Sequence, residues 1–202
     1  HGMTPPSPSR VAFIVENWSA LLYGSAIVNR QWVRHCVGFG AFEEYHLFCH
    51  ADEKSNFAAE YSSNRSVRVF GIEELPDQLA SVEYLTIHCF GLRPSLYAAI
   101  RDRCSINQVP ICSMTHSLSY HVAMMMMPIN MLVCGNEGDS LLGATPSAAR
   151  ALKALIHQAA RAPEMRSLET LADRVHVMPH GVETEVFAAR PDKATARARL
   201  GL

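Results

Sequence analysis

Short apolar runs alternate with segments of helical periodicity along most of the chain. Many of these runs are apolar at nearly every position, which is typical of strands buried on both faces of a parallel sheet. Seven runs predict strands, at residues 10–15, 45–49, 67–70, 84–88, 110–115, 140–144 and 174–178. No convincing hairpin signal separates them. The pattern therefore predicts an α/β fold, with a Rossmann-like, doubly wound, mainly parallel sheet of about seven strands and helices on both faces.

The segments between these runs predict helices, at residues 26–37, 73–79, 94–104 and 147–160. In the first helix, the periodicity predicts that Ile27 and Val33 face the core and that Asn29 faces solvent. In the third, it predicts that Leu96 faces the core. Thr145 before a proline is typical of a helix start, because Thr caps the free amides and proline suits the first turn.

Composition narrows the class of protein. Hydrophobic residues make up 49% of the chain and charged residues 18%, which indicates a folded globular protein and excludes a disordered one. The net charge of −1 comes without a long basic run, which argues against nucleic acid as a partner. The six cysteines form no C-x-x-C pair. We therefore expect reduced, structural cysteines, no metal site and a cytoplasmic location.

Ligands of open parallel sheets bind in the crevice beyond the carboxyl ends of the strands. Residues placed after the predicted strands indicate a cleft there, lined by Asn17, Trp18, Gly24, Ser25, His88, His116, Ser117, His180 and Gly181. The amides of Gly24 and Ser25 suit a phosphate or a sugar hydroxyl. Trp18 can stack on a sugar ring, and burial in the core is an equal alternative. For His88 the alternative is packing, and for His180 it is capping of a turn.

The last predicted strand opens the segment V-H-V-M-P-H-G-V-E-T-E-V-F, residues 175–187. This segment resembles the V-x-V-I-P-N-G-V-D-x-x-x-F signature of family 4 (group 1) glycosyltransferases, which are two-domain enzymes of the GT-B fold. His180 stands for the usual Asn and Glu183 for the usual Asp. In that family the signature lies where the N-terminal Rossmann-like domain passes the chain to the donor-binding domain.

Further segments resemble the same family in the same order. P-I-C-S-M-T-H, residues 110–116, is similar to its P-x-V-x-T-x-H segment, whose histidine reaches the transferred sugar, so the resemblance implies His116 as the catalytic residue. E-Y-L-T-I-H, ending at His88, is similar to D-[VI]-[IV]-H-x-H. D-S-L-L-G-A-T-P-S-A-A-R is similar to D-x-[IV]-[IV]-x-x-S-x-x-x-[RK] and matches Asp139, Thr145 and Arg150. The family's Gly-Gly before the first helix is replaced by Gly24-Ser25.

The resemblance implies the N-terminal, acceptor-side domain of a retaining glycosyltransferase of the hexosyltransferase type. It places this domain at residues 10–181, with residues 182–202 as a linker and the truncated start of the donor-binding domain. Residues 1–9 are expected to be a tag remnant and a flexible lead-in. The paired glutamates (E-x7-E) and most contacts to the donor belong to the second domain, so we expect this chain alone to be inactive.

Expected ligands follow from the same resemblance. They are a nucleotide-diphosphate sugar as donor, held mainly by the second domain, and a carbohydrate, lipid-linked or small-molecule acceptor, with no metal and no other cofactor. A lipid-linked acceptor would bring the protein to the inner face of the membrane as a peripheral protein. Residues 124–127, four methionines, would then line an acceptor groove, although a buried helix is the favoured interpretation.

Two other classes stay open. A Rossmann-type oxidoreductase or nucleotide-binding module predicts G-x-G-x-x-G after the first strand and an acidic residue after the second. The chain has E-N-W-S-A-L-L-Y-G-S and H-A-D at these places, so only Asp52 fits. The other class is a non-catalytic binding domain or a non-transferase relative of the GT-B fold, such as a sugar-nucleotide epimerase, and only the second domain would distinguish it from a transferase.

Overall fold

The computed structural model describes residues 9–15, 24–90, 94–115, 136–181, 184 and 191–201. Within these residues seven strands form one sheet: β1 (Arg10–Val15), β2 (Glu44–Cys49), β3 (Val67–Gly71), β4 (Thr86–Phe90), β5 (Ile111–Thr115), β6 (Ser140–Gly143) and β7 (Val175–Val177). The α-helices described are α1 (Gly24–Phe39), α2 (Ala51–Glu60), α3 (Leu75–Ser81), α4 (Pro94–Cys104), α5 (Pro146–Ala159) and α6 (Lys193–Arg199). Ile72–Glu74 and Pro163–Arg174 are 3-10 helical.

The strand order is β3-β2-β1-β4-β5-β6-β7, and each neighbouring pair is parallel. The chain builds outward from β1 to β3, then returns to the other side of β1 with β4 and continues outward to β7. This reversal creates a topological switch point between β1 and β4, where open α/β sheets bind ligands. The predicted fold class, a Rossmann-like parallel α/β sheet, is confirmed.

The central strand β1 is covered on both faces, because successive side chains of a strand point to opposite sides. Phe13 and Val15 pack with Val33 of α1 on one face. Ile14 packs with Leu75 of α3 and with residues of α4 on the other face. Burial on both sides explains why the strand sequence is apolar at almost every position.

A third cluster covers the end of the sheet that β6 and β7 form. Its centre is the apolar stripe of α5, with Leu152 and Ile156 fully buried. Leu141 of β6 and Val175 of β7 pack beneath this stripe, and Leu171 of the 3-10 segment closes the cluster from the side. The 3-10 segment Pro163–Arg174 is mostly polar in sequence, but it contributes to this core as well.

Strand β4 corrects one predicted boundary. It runs from Thr86 to Phe90 and not over residues 84–88. The aromatic ring of Tyr84 led to its prediction as a strand residue. In the structure Tyr84 lies in the link before β4, where its side chain is buried and its hydroxyl lies 2.7 Å from Nδ1 of His46. The two-residue shift places His88 inside the strand and not at its carboxyl end.

The predicted orientations of two helices are also partly wrong. Ile27 is exposed and Asn29 is buried in α1, and Leu96 is exposed in α4. Val33 of α1 is buried as predicted. Helix α2 was not predicted at all, because its sequence is mostly polar and its buried residues are Glu53 and Phe57. The apolar periodicity of α1 and α2 is weak, so the sequence does not predict which face of each helix is buried. Packing against the sheet decides it.

Strand β7 is shorter and more exposed than the pattern predicts. It spans Val175–Val177, and among its residues Val175 is buried while His176 and Val177 are exposed. Its one neighbour in the described sheet is β6, so it is an edge strand. The amide of Met178 continues the pairing by donating to the carbonyl of Gly143 at 2.9 Å.

A buried ion pair ties α4 to the amino ends of β5 and β6. Arg101 is 2% exposed and Asp139 is 3% exposed, and Nη1 of the arginine lies 2.6 Å from Oδ1 of the aspartate. The same Oδ1 accepts the amide of Ile111, the first residue of β5, at 2.8 Å. Burial alone would lower the pKa of Arg101, but its bonds to Asp139 and to Asp102 outweigh that effect and raise it. The guanidinium of Arg101 therefore stays charged.

Helices α1 and α2 are joined by ion pairs on the other side of the molecule. Glu60, the last residue of α2, accepts Nη2 of Arg30 and Nε of Arg34, each at 2.7 Å. Partial burial would raise the pKa of Glu60, but the two arginine hydrogen bonds outweigh it and lower the pKa. The carboxylate is thus ionised and holds two exposed turns of α1 together with the end of α2.

Candidate functional site

The carboxyl edge of the sheet carries the predicted cleft, and Gly24 lies there. It is the first residue of α1, the helix that follows β1. It is exposed, and a Cβ built at Gly24 would meet no described atom outside its own helix and chain neighbours within 4 Å. Ser25 is the second residue of the same helix. No described residue therefore crowds Gly24, and the amides at the start of α1 carry the positive end of the helix dipole.

Helices α1 and α4 begin on either side of the switch point. Helix α1 follows β1 and packs on one face of the sheet, whereas α4 follows β4 and packs on the other. Pro94 opens α4, where a missing N–H costs nothing. Because β1 and β4 are neighbours, a ligand at the switch point would lie between these two helices. This arrangement suits a ligand with negative charge or several hydroxyl groups.

His88 lies inside β4 and not at the carboxyl edge, where the cleft was predicted. Its partner in the ladder is Phe13, in the middle of β1, and it is 6% exposed. Its ring stacks on Trp32 of α1 with centroids 6.0 Å apart and lies 4.5 Å from the ring of Phe90. These contacts match the packing alternative, and they follow from the shifted boundary of β4.

His180 and Gly181 follow β7 and lie at the carboxyl edge as predicted from chain order. Partial burial lowers the pKa of His180 below its ordinary value, which keeps the ring neutral at pH 7. A neutral imidazole offers one donor and one acceptor. Gly181 is exposed, and a Cβ built on it would meet no atom of the described residues within 4 Å, its chain neighbours aside.

The strand order separates the two ends of this edge. Gly24 belongs to the β1 side, and His180 follows β7, which stands four places away in the sheet. Four strand spacings amount to roughly 19 Å. Gly24 and His180 therefore share an edge, but one small ligand cannot contact both directly.

The start of α5 lies on the carboxyl edge between Gly24 and His180, because α5 follows β6. Thr145 caps the helix by accepting the amide of Ala148 at 3.0 Å, and Arg150 donates to the hydroxyl of Ser147 at 3.0 Å. A Cβ at Gly143, the last residue of β6, would stand 2.7 Å from a backbone nitrogen of α5. The close approach of β6 to α5 therefore requires glycine at position 143. Near the start of α5, the exposed side chain of Arg150 lies toward the carboxyl edge.

Thr115 is a polar residue at this edge that the sequence analysis did not single out as a site residue. It ends β5, is buried, and pairs in register with Gly143. Its hydroxyl has no hydrogen-bond partner among the described residues. A polar last residue on a predicted strand was the signal that could have identified it.

Four predicted site residues, Asn17, Trp18, His116 and Ser117, lie outside the described residues, so their roles stay predictions. The methionine run at 124–127 also lies outside. Among the residues that the structure describes, no group of three or more His, Cys, Asp or Glu side chains is arranged to hold a metal ion. No helix in the described ranges has the length and apolar character to cross a membrane.

Comparison of the sequence with models of known protein families gives no match, and comparison with curated proteins gives none either. The fold and the motifs must therefore carry the functional argument together. The structure adds to the motifs a topological switch point between β1 and β4 and a neutral histidine after the last strand. It also explains Asp139, one of the motif positions, as half of a buried ion pair on the opposite edge.

Proposed function

We propose that this chain is the acceptor-side domain of a retaining glycosyltransferase that uses a nucleotide-diphosphate sugar. The observation that carries the proposal is the order of the motif-like segments along one edge. Thr115 ends β5 directly before His116, Thr145 and Arg150 follow β6, and His180 follows β7. The resembled family places its motifs after the same successive strands of a parallel sheet.

The chemistry of the edge supports this role. Sugar transfer from a nucleotide-diphosphate sugar releases a nucleoside diphosphate. Helix N-termini stabilise the negative charge of such a leaving group without a metal. The start of α1 at Gly24 offers amides to that charge. Thr115, Arg150 and neutral His180 offer hydrogen bonds suited to hydroxyl groups. In this proposal His116 contacts the transferred sugar, and the second domain binds the nucleotide.

The decisive test uses a longer protein that contains this chain. Replacing His116 by Ala should lower kcat/KM for sugar transfer by about 10²-fold or more, the scale of losing one positioned polar contact in a transition state. The matched control is His157→Ala, because His157 is exposed in the last turn of α5, away from the carboxyl edge. The control should keep kcat/KM. An unchanged value for His116→Ala would remove His116 from catalysis.

The strand order also favours a second candidate function, a nucleotide-binding module. The order 3-2-1-4-5-6 is shared with dinucleotide-binding folds, whose ligand lies at the same switch point. Titration calorimetry of residues 1–202 with UDP- and GDP-sugars and with NAD separates the two. The transferase domain alone should bind all of them more weakly than about 1 mM, at most ~4 kcal/mol of binding free energy. Micromolar binding would favour the nucleotide-binding module.

A further inference from the structure

A buried histidine outside the candidate site lies at the amino end of the sheet. His46 of β2 is 2% exposed, and both nitrogens of its ring have partners. Nδ1 lies 2.7 Å from the hydroxyl of Tyr84, and Nε2 lies 3.2 Å from Oε2 of Glu44. The ring also packs on Phe70 of β3, with centroids 5.0 Å apart.

The partners of His46 determine its protonation pattern. An ionised carboxylate only accepts hydrogen bonds, so Nε2 carries the proton and donates to Glu44. Nδ1 is then unprotonated and accepts the hydroxyl of Tyr84. If the ring gains a second proton, Nδ1 becomes a donor. The Tyr84 hydroxyl must then give up its acceptor inside a buried site, which is unfavourable.

The charges around His46 oppose a second proton as well. Glu44 accepts Nε of Arg10 at 2.7 Å, and Nη2 of Arg68 lies 3.6 Å from its other oxygen. Two arginines, from β1 and β3, thus surround one carboxylate. The charged and titratable groups that face the ring are these two arginines, Glu44 and Tyr84. Protonated His46 would place a third positive charge against a single negative one.

Tyr84 is the contact through which His46 holds the link between α3 and β4, residues 82–85. The ring of Tyr84 also packs on Phe48, and three hydrogen bonds hold the backbone of the link, the first from the amide of Val82 to the carbonyl of Gln78 at 2.8 Å. The amide of Leu85 donates to the carbonyl of Arg10 at 2.9 Å, and the side chain of Asn107 donates to the carbonyl of Tyr84 at 3.2 Å. Inside β4, the amide of Ile87 donates separately to the carbonyl of Pro110 at 2.8 Å. This bond of Ile87 involves no residue of the link, so opening of the link need not break it.

We propose that His46 and Tyr84 form an acid-sensitive latch, in which protonation of the imidazole releases the Tyr84 hydroxyl and opens residues 82–85 while the sheet stays folded. Burial lowers the pKa of His46, with the arginines adding to this effect and Glu44 opposing it. In the open state the ring is solvated and has its ordinary pKa of 6.5. The closed state is therefore fully favoured above pH 6.5 and loses stability as the pH falls below it.

Hydrogen exchange of the 202-residue chain, followed by NMR at pH 7.5 and pH 5.0, tests the latch. After correction for the intrinsic exchange rate, protection of the Leu85 amide should fall about tenfold at pH 5.0, the scale of one buried hydrogen bond. Protection of the Ile87 amide should not change. The ring of His46 should titrate below 6.5. Equal protection of Leu85 at both pH values, or loss at Leu85 and Ile87 together, would overturn the proposal.

Two variants and a control assign the effect. His46→Gln cannot titrate and should abolish the pH step at Leu85, whereas His35→Gln, at an exposed histidine of α1, should retain it. Tyr84→Phe keeps the imidazole and removes the hydroxyl, so Leu85 should show the acid level of protection already at pH 7.5. This second variant decides the matter if His46→Gln fails to fold. A pH step of unchanged size in Tyr84→Phe would exclude the latch.

Discussion

Replacing Asp139 by Ala tests how much the buried ion pair contributes to stability. The side chain gives one oxygen to two donors, Nη1 of Arg101 at 2.6 Å and the amide of Ile111 at 2.8 Å. After truncation, the guanidinium keeps only an exposed carboxylate, Asp102 at 2.9 Å, and the carbonyl of Val109 at 3.3 Å among its described partners. A cation would remain in the core without its buried counter-charge.

The expected cost is large. Removing one partner of a buried ion pair typically costs about 3–5 kcal/mol, because the remaining charge is neither paired nor hydrated. Such a loss is a large part of the total stability of a domain, which is about 5–15 kcal/mol. Asp139→Asn keeps an acceptor and loses only the charge, so it should cost less, about 1.5–3 kcal/mol. Adding Arg101→Met to Asp139→Asn should recover part of the loss.

Urea unfolding followed by circular dichroism at pH 7 measures these costs. Asp102→Asn is the matched control, because Asp102 pairs with the same arginine but its side chain is 50% exposed. The control should cost less than about 1 kcal/mol, as exposed pairs do. If Asp102→Asn cost as much as Asp139→Asn, or if Asp139→Ala cost under about 1 kcal/mol, burial would not be what makes the pair important.

Two further predictions concern packing and pH. Gly143→Ala should destabilise the chain by about 1–3 kcal/mol in the same assay, because the new methyl group would meet the backbone of α5 at 2.7 Å. Gly38→Ala, in the open last turn of α1, should instead stabilise it by about 0.5–1 kcal/mol, and equal effects at both sites would contradict the steric argument. Glu60→Gln should lower the urea midpoint at pH 7 and have little effect at pH 3. Since the pKa of Glu60 is lowered, its contribution is present above the ordinary glutamate pKa of 4.5 and is lost as the pH falls below that value. An unchanged difference between Glu60→Gln and wild type from pH 7 to pH 3 would refute the role of the charge.

The residues at the candidate site show where local patterns suffice and where they fail. Gly24 could be placed from the sequence, because the residue that opens the helix after a buried parallel strand must lie at the carboxyl edge. His88 could not, because one aromatic residue, Tyr84, made the preceding link resemble the strand. The distance between Gly24 and His180 also depends on the strand order, which no local pattern contains.

The sequence by itself determined the class of the fold. Continuous apolar runs must be buried on both faces, and alternation with helices leaves a parallel, doubly wound sheet as the economical arrangement. It also determined the start of α5, because the Thr145 cap and the proline after it act within one turn. Local interactions decide such features.

Only the tertiary structure decided which polar residues belong together. Asp139 meets Arg101 across 38 positions of the chain, and His46 meets Tyr84 across the same separation. No local pattern in the sequence indicates either pairing. A buried charge or imidazole needs a partner that removes its desolvation penalty, and that partner is supplied by whichever element the strand order brings alongside.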